Sequence, residues 1–318
     1  MMSWRVAVLD DYQNAARGLA DWDALPDGAE VTFFTEHIAD TDALVAALRP
    51  FDVIVAMRER TPFTAQRLAR LPGLRLLVTT GMRNAAIDLA AARAHGVTVC
   101  GTRGSATDTA ELTWGLILAL ARHITYEDRG LRTGGWQHTI GTALHGATLG
   151  VLGLGRLGTA VAGIGRAFGM DVIAWSHNLT DEHARAAGAA RAGKSDLLSR
   201  ADVVTIHYQL SERSTGMIGT AELAQMKPTA FLINTSRGPI VDTGALLAAL
   251  HDGTIAGVGL DVYDVEPLPA DHPLRSAPNT VLTPHLGYVT EQTYRTFYAD
   301  AVANIVSFAQ GTTIRVIE

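Results

Sequence analysis

The sequence predicts an α/β protein made of two doubly wound parallel-sheet domains. Three observations predict it. Short apolar runs of strand character alternate with runs of helix character along the chain. The stretch from Gly150 to Gly158, GVLGLGRLG, puts a glycine-rich turn between a strand-like and a helix-like segment. A second alternating run then follows that turn, so the α/β pattern occurs twice.

In the first half, strands are expected at residues 6–9, 31–34, 53–56, 76–79 and 97–99, with helices at 42–48, 64–70 and 88–95 between them. A long helix over roughly 107–122 follows, with Thr107 or Asp108 as its cap and Leu112, Leu116 and Ala119 on one face. In the second half, a strand over 147–152 enters the glycine turn, a helix over 159–168 leaves it, and the next strand covers 171–175. Further strands are expected at 203–206, 231–233, 258–260 and 281–282, and a last helix at 291–309. The Pro-rich piece Glu266-Pro267-Leu268-Pro269 reads as a loop.

A chain of 318 residues is long enough for two domains, and 47% hydrophobic with 18% charged is a globular composition. A formal net charge of -6 gives no basic excess, so neither nucleic acid nor an anionic membrane surface is an expected partner. The segment from Met1 to Asp11 lacks the charged flank and apolar core of a signal peptide, and the apolar stretch 112–121 is too short to cross a bilayer. Cys100 is the only cysteine, which rules out an intrachain disulfide and fits a reducing cytoplasm. No metal site is expected.

Gly153, Gly155 and Gly158 fall at the spacing G-x-G-x-x-G. Gly makes up 31 of 318 residues, so the spacing alone is weak and the flanks carry the argument. Strand, glycine turn, helix, strand is the setting in which such a loop binds the pyrophosphate of a dinucleotide, as in a Rossmann domain. The first Gly allows a tight turn, the second lets the backbone approach the phosphates, and the third lets helix and strand pack closely. Free N–H groups at the helix start then bind the anion. The competing reading is a tight turn in an unrelated α/β protein.

Three expected strands of the second half end in residues that can do chemistry. One ends in Asn234-Thr235-Ser236-Arg237, one in Asp261-Val262-Tyr263-Asp264-Val265-Glu266, and one in Thr283-Pro284-His285. Ligands of open α/β sheets lie outside the carboxyl ends of the strands. An Arg there binds a carboxylate by a two-pronged contact. A His exchanges a proton near neutral pH, and a Glu orients it. Beside a nicotinamide the three suit hydride transfer to a 2-oxo acid. Taken singly, each has a plainer reading: Arg237 as a surface ion-pair partner, Glu266 as a solvated loop acid, His285 as one of 11 histidines without a catalytic task.

In this order after GLGRLG, the motifs NTSRGPIVD, GLDVYDVEP and TPHLGY resemble those of the D-isomer-specific 2-hydroxyacid dehydrogenases. The resemblance runs from Val6 to the last helix. It implies that Arg237 binds and orients the substrate carboxylate, that His285 is the general acid/base, and that Glu266 is its hydrogen-bonded partner. It implies that Asp261 lies by the nicotinamide carboxamide. Gly153, Gly155, Arg156, Leu157, Gly158, Ser176, Tyr208, Thr235, Ser236 and Gly287 are expected to hold the dinucleotide with it. The last helix is expected to return to the first domain, giving a smaller flavodoxin-like substrate domain of 1–102 with 289–318 and a Rossmann cofactor domain of 103–288. The long helix near Glu111 resembles the family's dimer element, so a homodimer is expected. Formate dehydrogenases of the same superfamily carry Gln where Glu266 stands, which counts against that branch.

The sequence departs from the family pattern in three places. Many NAD-dependent members have Asp after the second strand of the cofactor domain, whereas here Trp175 is followed by Ser176, His177 and Asn178. NADP-preferring relatives supply Arg or Lys there, and this sequence supplies neither, so NAD is expected with NADP left open. The substrate loop, with Gly81, Met82 and Arg83, carries Arg where Gly is common; Arg83 is either a surface residue or a second cation that favours a dianionic or polar substrate. The usual Pro after the His of the loop at Ile206-His207-Tyr208 is missing, and His207 and Tyr208 are expected to line the adenosine side. Two functions compete: a 2-oxo acid reductase, and a dinucleotide-sensing binding protein like the corepressors that resemble this family.

Overall fold

The structure is a computed structural model that describes residues 4–105 and 107–318. The chain divides into two compact units, Met1–Ser105 with Thr290–Glu318, and Ala106–Val289.

The smaller unit is built on β1 (Arg5–Val8), β2 (Glu30–Phe33), β3 (Val53–Ala56), β4 (Leu76–Thr79) and β5 (Thr98–Cys100). All five strands run parallel in the order β2-β1-β3-β4-β5, which is the flavodoxin-like order. Its helices are α1 (Ala16–Leu19), α2 (Thr41–Leu48), α3 (Ala65–Leu68), α4 (Leu89–Ala94) and, from the end of the chain, α12 (Glu291–Ala309). Val6, Ala7 and Val8 are wholly buried, as a parallel strand covered on both faces requires. Asp40, Thr64 and Asp88 cap α2, α3 and α4 by accepting from Ala43, Arg67 and Ala91 N–H. Thr64 and Asp88, expected inside helices, therefore stand just before them. Their short oxygen-bearing side chains satisfy amides that lack an intrahelical partner.

The larger unit holds β6 (Thr148–Leu152), β7 (Asp171–Trp175), β8 (Ala190–Arg191), β9 (Val203–Ile206), β10 (Phe231–Asn234), β11 (Gly257–Leu260) and β12 (Thr280–Leu282). They run parallel in the order β12-β11-β10-β9-β6-β7-β8, the doubly wound Rossmann order with one further strand. Covering them are α5 (Thr107–Ala121), α6 (Ile124–Arg132), α7 (Arg156–Ala167), α8 (Asp181–Ala186), α9 (Lys194–Arg200), α10 (Thr220–Leu223) and α11 (Thr243–His251). One apolar core of this unit is centred on Leu232, Val258 and Ile206 and another on Leu149, Val151 and Ile233.

One expectation about the long helix is corrected. The helix begins at Thr107, so Thr107 and Asp108 lie in its first turn and do not cap it; the residue before Thr107 lies outside the described residues. Its buried side is Ala110, Thr113, Trp114, Leu116, Ile117, Leu120 and Ala121, so Leu112 and Ala119 sit on the margin. α7 begins at Arg156, three residues before the expected start, because the helix takes up the last fingerprint residues. Among the described residues no helix is long and apolar enough to cross a membrane.

Candidate active site

The loops after β6, β7, β9, β10, β11 and β12 leave one edge of the parallel sheet, the edge that takes ligands in such folds. Gly153 has φ +95°, and a Cβ there would lie 2.7 Å from the His207 carbonyl oxygen. A Cβ at Gly158 would collide with the Gly153 carbonyl, whereas at Gly155 no protein atom stands in the way. No side chain caps α7. Among the described residues, the N–H groups of Gly155, Arg156, Leu157 and Gly158 meet no acceptor. Donors without partners at a helix start attract an anion, so the loop fits the pyrophosphate of a dinucleotide.

Ser176 follows β7, and its hydroxyl accepts the Leu154 N–H at 3.1 Å. The Tyr208 hydroxyl, beyond β9, bonds Ser176 and accepts the His177 N–H at 3.1 Å. Burial pushes the Tyr208 phenol up, so it stays protonated at neutral pH. The rings of Trp175, His177 and Tyr208 pack edge to face or tilted. His207 meets the Thr205 hydroxyl through Nε2 at 2.9 Å, while its buried Nδ1 has no partner among the described residues. Burial lowers its pKa to about 3.

Beyond β10, the Thr235 and Thr113 hydroxyls share a hydrogen bond of 2.8 Å, and the Ser236 hydroxyl donates to the Tyr208 carbonyl. Arg237 is half-buried, and its Nη1 donates to the Ser236 carbonyl at 2.7 Å. A Cβ at Gly238 would collide with the Tyr263 carbonyl group, so glycine there lets the Arg237 loop lie against the segment leading to Glu266.

Asp261, at the end of β11, is 1% exposed. It accepts from Thr283 Oγ1 at 2.6 Å, Leu286 N–H at 2.7 Å and Gly287 N–H at 2.8 Å, tying the loop after β12 to β11. Burial pushes its carboxyl above the usual range, and these bonds and the nearby His285 oppose that. The Glu266 carboxylate has two tasks: Oε1 accepts the Tyr263 N–H at 2.9 Å, and Oε2 accepts from His285 Nδ1 at 2.6 Å. His285 adopts φ +54°, a left-handed conformation uncommon for a bulky residue and found preferentially at functional positions. Burial, then the charges of Asp261 and Glu266, raise the Tyr263 phenol, which donates to the Thr283 carbonyl at 2.9 Å.

A family model for the D-isomer specific 2-hydroxyacid dehydrogenase NAD binding domain matches residues 114–287. The chain belongs to that family. It is an NAD-dependent 2-hydroxyacid dehydrogenase, with NAD as its cofactor and NADP left open. The dehydrogenase is 42% identical over 254 residues to the glyoxylate reductase of Aeropyrum pernix, covering 77% of this chain and 76% of that protein. It is 35% identical over 279 residues to the D-3-phosphoglycerate dehydrogenase of Bacillus subtilis, covering 87% of this chain and 52% of that protein, so it spans about half that relative's length. A solved phosphoglycerate oxidoreductase of Vibrio cholerae superposes with a TM-score of 0.93 at 38% identity, over 98% of this chain and 100% of that one.

In the smaller unit of the dehydrogenase, Gly81, Met82 and Arg83 form the turn after β4. Gly81 has φ +87°, and its N–H donates to Thr102 Oγ1 at 2.8 Å, so that amide is already taken. Met82 and Arg83 are exposed, and Asn84 pins the turn by donating to the Arg58 carbonyl and to Thr79 Oγ1. The motif reading missed two residues that hold this dehydrogenase's loops, Thr113 and His183. Both act through partners far away in sequence, and no local pattern marks them.

Proposed function

We propose that this dehydrogenase reduces a short 2-oxo acid to the D-2-hydroxy acid, with Arg237 holding the substrate carboxylate and the His285–Glu266 pair moving the proton. The observation that carries the reading is the 2.6 Å bond between Glu266 Oε2 and His285 Nδ1. A carboxylate only accepts, so Nδ1 carries a proton, the ring is held in one orientation, and Nε2 is the nitrogen left to serve the substrate. Bound nicotinamide supplies the hydride. As charge develops on the substrate oxygen, His285 delivers the proton from Nε2. Arg237 offers its planar fork to the carboxylate. Asp261 is assigned to the nicotinamide carboxamide. The fingerprint residues Gly153, Gly155, Arg156, Leu157 and Gly158 are assigned to the pyrophosphate, and Ser176, Tyr208, Thr235, Ser236 and Gly287 to the rest of the dinucleotide.

Residues 1–102 with 289–318 then form the substrate domain, with Gly81, Met82 and Arg83 as its substrate-facing turn, and 103–288 the cofactor domain. The assembly is a homodimer. In support, Ile124 and Leu131 on α6 are exposed, Trp136 is 76% exposed and Ile140 95%, and a second copy would cover them. The single free cysteine, Cys100, supports a cytoplasmic setting. The relatives' names favour glyoxylate as the first substrate to try. The test is steady-state turnover on a panel of mono- and dianionic 2-oxo acids with NADH and NADPH. Turnover on none of them returns the reading to a dinucleotide-sensing binding protein.

A further inference from the structure

We propose that His183, together with Ser176, positions the pyrophosphate loop of the dinucleotide site; the inference rests on the reading of that loop given above. Leu154 stands between the first two fingerprint glycines, and both of its backbone polar groups are gripped from outside the loop. Its N–H donates to Ser176 Oγ at 3.1 Å. Its carbonyl oxygen lies 3.1 Å from His183 Nε2. A carbonyl oxygen only accepts, so Nε2 carries the proton and donates. His183 is itself set on α8, where its N–H donates to the capping Thr180 hydroxyl at 3.1 Å. The Leu154 side chain is buried in the same core as Val161, Leu179 and Ala184, which leaves the loop no slack there.

The consequence follows from peptide geometry. The Leu154–Gly155 bond is trans, so its C=O and its N–H point in opposite directions across a planar unit. Anchoring the oxygen on His183 turns the Gly155 N–H the other way. That N–H is the first of the donors at the α7 start that meet no acceptor among the described residues. If the peptide turned over, it would present an oxygen where the anion needs a donor. His183 is a positioning residue: it is exposed on its own helix and acts through the loop it holds.

The experiment is equilibrium binding of NADH, ADP-ribose and adenosine to the full chain, His183→Ala and His183→Gln, with the Tm of each ligand-free protein. Loss of one neutral hydrogen bond changes an affinity by about three- to tenfold. In His183→Ala the Kd for NADH and ADP-ribose rises by that factor, the Kd for adenosine, which lacks the pyrophosphate, stays within about twofold, and Tm moves by less than about 2 °C. His183→Gln, whose amide nitrogen donates from nearly the same place, restores the affinity. An unchanged ADP-ribose Kd in His183→Ala overturns the inference. So do equal losses for adenosine and ADP-ribose, failure of His183→Gln to restore affinity, or a loss that follows a fall in Tm. A wild-type protein that binds ADP-ribose no better than adenosine overturns the loop reading and the inference with it.

Discussion

The two units meet the same electrostatic demand in opposite ways. In each, a buried parallel strand runs into a turn and then a helix, whose first N–H groups lack intrahelical partners. In the smaller unit β1 leads to Asp11, whose carboxylate accepts the Ala15 N–H at 2.9 Å and the Ala16 N–H at 3.0 Å at the start of α1. In the larger unit β6 leads to the glycine loop, and the donors at the start of α7 meet no acceptor among the described residues. One turn supplies its own anion, and on the function proposed above the other leaves that place to a ligand's. Parallel α/β topology is common to both, so it does not decide which unit binds the dinucleotide. The residues of the first turn decide it.

The function proposed above puts both anion binding and proton transfer in the larger unit, and the largest expected effect tests the second. His285→Gln should lower kcat for 2-oxo acid reduction by roughly 10²–10⁴-fold, the usual contribution of general acid catalysis. NADH affinity should survive. Near-normal turnover would remove His285 as the acid.

A smaller effect comes from giving the larger unit the smaller unit's device. Gly155→Asp places a carboxylate at the start of α7, where no atom obstructs a side chain and φ is -83°, open to any residue. The Kd for NADH should rise roughly 10–100-fold through lost charge-assisted bonds and like-charge repulsion, with Tm held or slightly raised. The converse change, Asp11→Ala, should cost about 1–2 kcal/mol of stability and leave NADH binding alone. If Asp11→Ala instead weakens NADH and spares Tm, the two turns do not differ in the way described. A finer adjustment is Ser176→Asp. A charge beyond β7 should shift the ratio of efficiencies toward NADH over NADPH by about tenfold. An unchanged ratio would mean that Ser176 does not face the ribose.

Much of this was legible in the sequence, for physical reasons. The inner strands of both sheets are buried on both faces and so read as short apolar runs; the expected 171–175 and 203–206 coincide with β7 and β9. The Glu266–His285 contact was legible through the family resemblance of GLDVYDVEP and TPHLGY, each of which follows a strand of the parallel sheet. α6 was not marked in the sequence, since it is short and rich in charge and none of its residues is buried. The task of Asp11, the grip of His183 on Leu154 and the burial of the His207 ring depend on surroundings brought together only by the fold.

His207 provides the smallest and most specific test of how tightly the glycine loop is backed. Its carbonyl closes against Gly153, and its ring is buried with Nδ1 facing no acceptor among the described residues. A protonated ring would need an acceptor at that nitrogen, which is why burial holds the pKa at about 3 against 6.5 for a free imidazole. The sign follows directly. Between pH 3 and pH 6.5 the unfolded chain binds this proton and the folded chain does not, so stability falls as pH falls through that window. From pH 7 to pH 5.5 the loss from this one ring is about 1.2 kcal/mol, set almost wholly by the free imidazole as long as the buried ring stays neutral. His207→Gln removes the titration. Denaturant unfolding at pH 7 and pH 5.5 should therefore show a drop about 1 kcal/mol smaller in the variant than in the wild type. Equal drops would mean that the ring takes up its proton in the folded protein, and that the wall behind Gly153 is open to water.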